Sequence, residues 1–146
     1  MMRMSTKGHH AIRIMVYLAL SPGRPITKVE IGDAENISPG YIQQLMGRLT
    51  NAGLVKSHRG KEGGFSLGRP ADEITVKQVL GVTEGPFEIS ECATSPDICT
   101  RTSTCPVNPL WLEVTALVNS LFDRTTIANL AARTEELALT AMHSPE

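Results

Sequence analysis

Residues 36–67 read NISPGYIQQLMGRLTNAGLVKSHRGKEGGFSL, and this stretch decides the fold. Ser38 is a predicted N-cap, and Pro39 follows it at the first helical position. Gly53 is a natural end for the helix that begins there. Between these signals, apolar residues recur on one helical face at Ile42, Leu45, Met46 and Leu49. The stretch therefore begins with a predicted helix that buries one face and turns polar side chains outward.

A β-hairpin is predicted directly after this helix. Leu54 to His58 and Phe65 to Leu67 read as short strands, and the glycine-rich residues 60–64 lie between them. Glycine permits positive backbone angles and close approach to another surface, while Arg59 and Lys61 bring positive charge to the tip. We interpret this β-hairpin as a wing. A wing directly after the helix distinguishes a winged helix-turn-helix from a plain pair of antiparallel helices.

Two helices are predicted on the N-terminal side of the quoted stretch. The first carries one apolar stripe, formed by Ile12, Met15, Val16, Ala19 and Leu20. Thr27 and Glu30 fit a capping box, so a second helix should begin at Lys28 and end near Asn36. A tight Asn36-Ile37 turn joins it to the third helix, which is the arrangement of a helix-turn-helix.

Further helices are predicted downstream of the wing. A short helix begins at the capping box of Thr75 and Gln78 and closes the winged domain. A long helix restarts at Asn108, which we interpret as its N-cap. Its apolar stripe consists of Leu110, Val114, Leu117, Val118, Leu121 and Phe122. Because no other predicted element covers this stripe fully, we expect a dimerisation helix. A shorter helix from Thr126 to about Leu139 is expected to fold back on it.

The predicted fold class is mainly α with a small β-hairpin wing, a winged helix-turn-helix followed by a long dimerisation helix. Residues 1–84 form the winged helix-turn-helix domain, residues 85–108 a cysteine-containing loop, and residues 109–146 the dimerisation helix and C-terminal segment. The loop has no sustained periodicity, and a loop of that length in a small protein is usually functional or disordered.

Charge is distributed unevenly along the chain, although the net charge is −1. Residues 1–69 hold ten Lys and Arg against four acids, a net of +6, whereas residues 70–146 hold four against eleven, a net of −7. This asymmetry indicates that the first half meets a polyanion. Nothing resembles a signal peptide or a membrane span, so we expect a cytoplasmic protein with no membrane partner.

The outward face of the third helix has the chemistry of a DNA major-groove reader. Gln pairs with the N6 and N7 edge of adenine, Arg with guanine or phosphate, and Tyr with phosphate or a thymine methyl. Arg59 at the wing tip suits an A·T-rich minor groove, and Lys61 suits phosphates. The predicted DNA-binding residues are Ser38, Gly40, Tyr41, Gln43, Gln44, Arg48, Arg59 and Lys61. We therefore expect a double-stranded DNA operator as the partner.

All three cysteines of the chain, Cys92, Cys99 and Cys105, lie within the predicted loop. An odd number of cysteines in a cytoplasmic chain argues against a disulfide framework and leaves metal ligation or thiol redox chemistry. Structural zinc sites usually contain pairs of cysteines with two to four residues between them, and no such pair exists here. Thiolate ligation of an iron–sulfur cluster, completed by a different ligand, explains the spacing better, with zinc and thiol redox chemistry as open alternatives. No base or catalytic carboxylates accompany the thiols, so an enzyme is not predicted.

Three motifs resemble the Rrf-two family of bacterial transcription regulators. They are the opening Met2-Arg3-Met4-Ser5-Thr6-Lys7-Gly8, the helix start Ile37-Ser38-Pro39-Gly40-Tyr41-Ile42, and the wing Arg59-Gly60-Lys61-Glu62-Gly63-Gly64-Phe65-Ser66-Leu67. The resemblance covers about residues 2–135. It implies a homodimer that crosses its long helices on a dyad-symmetric operator, with Cys92, Cys99 and Cys105 matching the family's three cluster cysteines.

The fourth cluster ligand is where the sequence departs from the family pattern. Members of the IscR type have a histidine where Asn108 stands, and members of the NsrR type recruit an acidic residue from the first helix of the other subunit. At that second place this chain has His9, next to His10. The resemblance thus points to His9, with His10 as the second candidate, as a ligand donated across the dimer. The cluster would be of the 4Fe-4S or 2Fe-2S type and would sense redox state, nitric oxide or iron–sulfur status. An apo or zinc-binding regulator that responds to a small molecule or a partner protein is the alternative.

Overall fold

The computed structural model describes residues 4–143, so Met2 and Arg3 of the opening motif lie outside the described residues. The helices are α1 (Thr6–Ala19), α2 (Lys28–Glu35), α3 (Pro39–Asn51), α4 (Val76–Thr83), α5 (Asn108–Arg124) and α6 (Ile127–His143). The strands are β1 (Val55–His58) and β2 (Gly64–Leu67). Short 3-10 turns occupy Ala71–Glu73, Glu91–Ala93, Pro96–Ile98 and Thr102–Thr104. The predicted fold class, mainly α with one β-hairpin, is confirmed.

Local capping signals determine where the helices begin. At α2 the Thr27 hydroxyl accepts from the Glu30 N–H at 3.2 Å, and the Glu30 carboxylate accepts from the Thr27 N–H at 2.9 Å. The same reciprocal pair, formed by Thr75 and Gln78, begins α4. The α2 helix ends at Asn36, whose left-handed backbone (φ 55°) makes the tight turn toward α3. Both predicted capping boxes and the turn between the two helices are confirmed.

The wing is an antiparallel hairpin fastened to the segment before α2. Val55 pairs with Leu67 and His58 with Gly64, while Ile26 exchanges backbone hydrogen bonds of 2.9 and 2.8 Å with Phe65. Gly64 has a φ of 149°, and a Cβ there would lie 2.5 Å from the Ile26 carbonyl oxygen. Glycine is required at this position because the Ile26 segment approaches so closely.

The hydrophobic core lies within the winged unit and is centred on α1. Ile14 and Met15 of α1 are fully buried together with Ile31 of α2, Ile42 of α3 and Ile127 of α6. The inner face of α3 is therefore fixed by packing. Its opposite face remains at the surface, which gives the helix a rigid support and an exposed polar side.

The chain returns to the winged unit after α5. Val76 N–H donates to the Thr125 carbonyl at 2.9 Å, and Ile127 N–H donates to the Ile74 carbonyl at 2.8 Å. These bonds direct α6 onto α1 and the Ala71–Glu73 turn. The expectation that a shorter last helix folds back on α5 was wrong, because this backbone pairing and the burial of Ile127 outweigh contact with the α5 stripe.

The apolar stripe of α5 stays largely uncovered in the single chain. Leu110, Leu117 and Leu121 are exposed, and Val114 is half-buried. On its other side, α5 packs against α4 and the Glu91–Ala93 turn. Among residues 4–143, none of the helices combines the length and the apolar character that crossing a membrane would need.

Candidate functional site

The exposed face of α3 presents polar side chains that the protein does not use internally. Gln43, Gln44 and Arg48 are exposed, and Gly40 leaves the first turn open. Within the described residues, none of these three side chains forms a hydrogen bond or an ion pair. Their donors and acceptors are thus available to a partner outside the chain.

Ser38 and Tyr41 have structural contacts at the start of α3. The Ser38 hydroxyl accepts from the Tyr41 N–H at 3.4 Å as the N-cap. The half-buried Tyr41 ring meets His10 of α1 edge to face, with 5.8 Å between ring centroids. The exposed Ser38 and the outer part of Tyr41 therefore lie beside the open α3 face.

The wing tip carries the second exposed cluster. Arg59, Gly60 and Lys61 are exposed, and Gly60 turns the chain with a φ of 102°. The Gly63 N–H donates to the Gly60 carbonyl at 3.1 Å and closes the turn. The side chains of Arg59 and Lys61 make no hydrogen bond or ion pair within residues 4–143.

An ion pair and a ring contact hold α1 against both helices of the helix-turn-helix. The Arg13 guanidinium lies 2.6 Å from the carboxylate of Glu35, whose side chain is only 12% exposed, at the end of α2. His10, one turn earlier on α1, contacts Tyr41 of α3. Sequence reasoning missed both contacts, although the spacing of three residues between His10 and Arg13 was the signal that one helical face carries them.

The cysteine loop lies on the surface and all three thiols are free. Cys99 is exposed, and Cys92 and Cys105 are half-buried. The Cys92 thiol is 3.2 Å from the Ser90 hydroxyl. Hydrogen bonds from Ser90 and then Asn108 lower the pKa of the Cys92 thiol below its ordinary value, and this favours the thiolate that binds metals and reacts as a nucleophile.

Asn108 has a different role from the one expected. Helix α5 begins at Asn108, Val107 takes the N-cap position, and no side chain caps the helix. The Asn108 side chain is buried and donates to the Cys92 carbonyl at 2.9 Å. The N-cap interpretation was wrong because a partner sixteen residues away along the chain competes successfully for this amide.

A second asparagine ties the beginning of the loop to α5. The Asn119 amide donates to the Phe87 carbonyl at 3.2 Å and to the Thr115 carbonyl at 2.9 Å. The Phe87 and Phe122 rings meet edge to face at 6.1 Å. Asn108 and Asn119 thus anchor two points of the loop on one helix and leave Cys99 in the unanchored part.

The three cysteines are not assembled into a metal site in the single chain. Throughout residues 4–143, no group of three or more His, Cys, Asp or Glu side chains is placed to hold a metal ion. His9 lies on the exposed side of α1 and does not join the cysteines in such a group. The chemistry of the donor set fits a cluster, because it offers three accessible thiols on one loop, but the folded monomer does not gather them.

Comparison with known proteins identifies the family. The family model Rrf2, described as an iron-dependent transcriptional regulator, matches residues 4–133. The chain belongs to the Rrf2 family. It is 36% identical over 135 residues to the HTH-type transcriptional regulator CymR of Bacillus subtilis, an alignment that covers 92% of this chain and 93% of CymR.

Solved structures of Rrf2 proteins share the fold. The structure of CymR, the global cysteine regulator of B. subtilis, matches with a TM-score of 0.77 and 35% identity over 91% of this chain and 98% of that one. IscR of T. potens matches with a TM-score of 0.75 and 27% identity over 99% of this chain and 93% of that one. This Rrf2 chain is therefore a winged helix transcription regulator and not an enzyme.

Proposed function

We propose that this chain acts as a homodimer that reads a dyad-symmetric DNA operator, with α3 in the major groove and the wing in the flanking minor groove. The observation that carries the proposal is the pair of exposed, internally unused clusters on α3 and at the wing tip. Both project from a winged unit whose sequence is basic. An operator-binding regulator of this kind would work in the cytoplasm.

Each exposed residue has a role that follows from its chemistry. Gln43 and Gln44 would pair with adenine edges, and Arg48 with guanine or a phosphate. Gly40 would allow close approach of the DNA backbone, while Ser38 and Tyr41 would donate to phosphates beside the helix start. Arg59 would enter the minor groove and Lys61 would contact a phosphate.

The uncovered face of α5 supports dimerisation. Leu110, Leu117 and Leu121 form an exposed apolar row, and burying such a row against a second copy removes it from water. In a twofold dimer, each of the two α3 helices would meet one half-site of the operator. The two half-sites would lie about 34–36 Å apart along the DNA. Residues 1–84 would then bind DNA, and residues 109–146 would supply the dimer helix.

We infer that the loop formed by residues 85–108 is the regulatory part and that Cys92, Cys99 and Cys105 hold an iron–sulfur cluster there. The accessible thiols and the family description as iron-dependent support this assignment. His9 of a second copy would be the fourth ligand, since His9 is exposed on α1. The iron of the cluster would respond to oxidants, to nitric oxide or to the availability of iron. Asn108 and Asn119 would hold the loop against the dimer helix.

Anaerobic purification tests the cluster. We expect a coloured protein containing iron and sulfide, and loss of both in Cys99→Ser. Ser95→Ala is the matched control, because Ser95 is exposed in the same loop, and this variant should retain the cluster. His9→Ala should speed the loss of visible absorption in air. A colourless protein that cannot be reconstituted would contradict the cluster, and stoichiometric zinc would favour the zinc-binding alternative.

A further inference from the structure

His10 lies at the contact between α1 and the recognition helix α3. Its ring centroid is 5.8 Å from that of Tyr41, and the two rings are inclined at 75°. The Nδ1 atom of His10 is buried and has no hydrogen-bond partner in the described chain. A buried ring nitrogen without a partner adds nothing to the stability of the fold, so the specific contact that His10 makes is the one between its ring and the Tyr41 ring.

Tyr41 is the part of α3 that His10 can influence. Its backbone N–H is held by the Ser38 cap, and its side chain is half-buried between α1 and solvent. The Tyr41 hydroxyl forms no hydrogen bond within residues 4–143. The ring direction therefore depends on packing, and the His10 edge-to-face contact is the specific part of that packing.

We propose that His10 is a positioning residue for operator binding, which fixes the Tyr41 ring so that its hydroxyl faces the DNA beside the N-terminus of α3. This inference rests on the proposed function, in which Tyr41 contacts DNA. It assigns a role in recognition to a residue of α1, a helix outside the two elements, α3 and the wing, that are proposed to contact DNA. The Arg13–Glu35 ion pair joins α2 to the next turn of α1, so α1 contacts both helices of the helix-turn-helix.

A double-mutant cycle between His10 and Tyr41 tests the assignment. The probe is a fluorescent DNA duplex selected by the full-length wild-type protein from a random-sequence pool. The variants are His10→Ala, His10→Phe, Tyr41→Ala and the double variant His10→Ala with Tyr41→Ala. The operator Kd and the thermal unfolding midpoint are measured for each. Tyr17→Leu, which removes a half-buried ring from the same helix, is the matched control for lost stability.

His10→Ala should weaken operator binding about three- to tenfold, the range that an edge-to-face ring pair supplies. His10→Phe keeps an aromatic ring and should restore the Kd to within about twofold of wild type. The double variant should bind no more weakly than Tyr41→Ala alone. Tyr17→Leu should lower the unfolding midpoint without changing the Kd.

Three results would overturn this inference and leave the proposed function standing. The first is a wild-type Kd in His10→Ala while Tyr41→Ala is impaired, and the second is additive losses in the double variant. The third is that Tyr17→Leu and His10→Ala lose the same stability and the same operator affinity. His10 would then act only by stabilising the core. A wild-type protein that selects no duplex would instead overturn the proposed function together with this inference.

Discussion

At the scale of single residues, Arg59 is the side chain whose contribution to DNA binding can be isolated most cleanly. It is exposed at the wing tip and unpaired within the described residues, so its removal leaves the fold intact. Arg59→Ala should weaken operator binding about tenfold and reduce the salt dependence of log Kd by about one ion. The loss should be largest on operators with A·T-rich flanks, where a narrow minor groove concentrates negative potential.

Fluorescence anisotropy at several salt concentrations measures both effects of Arg59→Ala. Arg133→Ala is the matched control, since Arg133 is an exposed arginine on α6 in the acidic half of the chain. The minor-groove role of the wing would be contradicted if Arg59→Ala and wild type showed the same dependence of log Kd on salt concentration, both on operators with A·T-rich flanks and on operators with G·C-rich flanks.

Gln44 should determine sequence preference more than affinity. An amide that pairs with adenine contributes about 1–3 kcal/mol of discrimination against other bases. Gln44→Ala should therefore flatten the preference at one operator position while leaving the remaining positions unchanged. Binding to a library of single-base operator variants measures this, with Asn51→Ala, an exposed amide at the far end of α3, as control. Loss of affinity by the same factor at every operator variant would contradict base readout by Gln44.

Asn108 shows why single-residue roles were harder to predict than elements. The sequence near Asn108 favours an N-cap, and only the folded chain brings the Cys92 carbonyl to within 2.9 Å of its amide. The same limit applies to His10 and Glu35, whose partners lie on other helices. The exposed positions of α3 and the wing tip were predictable, because helical periodicity and the glycine-rich turn are local signals.

At the scale of elements, the contribution of the start of α2 to folding stability should depend on pH in a definite direction. Hydrogen bonds from Arg24, at 2.6 and 3.2 Å, and from Thr27 lower the pKa of Glu30 from 4.5 to about 2. In the unfolded chain Glu30 takes up its proton near 4.5. Between these values the unfolded state binds more protons, so the contribution of Glu30 to stability is present above 4.5 and is lost as the pH falls toward 2.

Replacing Glu30 with glutamine tests that window. Gln can still accept the capping hydrogen bond, but it carries no charge to titrate. Wild type should lose stability relative to Glu30→Gln as the pH falls from 4.5 to 2, and the difference should be constant above pH 5. Urea unfolding followed by circular dichroism measures it. Parallel stability curves through this range would show that the Arg24–Glu30 pair does not act on folding.

Elements were predictable where their signals are local and not where they depend on distant packing. The two capping boxes and the hairpin follow from residues three to twelve positions apart. The packing of α6 follows from backbone pairing of Thr75 with Thr126, which links segments far apart in sequence. Under the proposed function, the arrangement of the cysteines would depend further on a bound cluster and on a second copy of the chain, and the periodicity of the sequence describes neither of them.

At the scale of the whole molecule, the uncovered α5 face should hold two copies together. Leu117 is 64% exposed in the single chain, and a charge there would be buried without a partner in the dimer. Leu117→Glu should yield a folded monomer with about a hundredfold weaker operator binding, because each half-site would then be bound alone. Leu137→Glu is the matched control, since Leu137 is 65% exposed on α6.

Sedimentation and thermal unfolding distinguish the outcomes for these two leucines. We expect a monomer with a preserved helical spectrum for Leu117→Glu and a dimer for Leu137→Glu. A Leu117→Glu protein that remains dimeric would show that a different surface joins the subunits.

Under the proposed function the cysteine loop and the DNA-binding face are coupled, and one comparison of operator affinities tests this coupling directly. The operator Kd is determined anaerobically for a single preparation with its iron and sulfide intact and again after their removal, beside Cys99→Ser. The two states should differ at least about tenfold, within the usual range of coupling between sites, and Cys99→Ser should have the Kd of the metal-free state. Equal operator affinity in all three samples would contradict the claim.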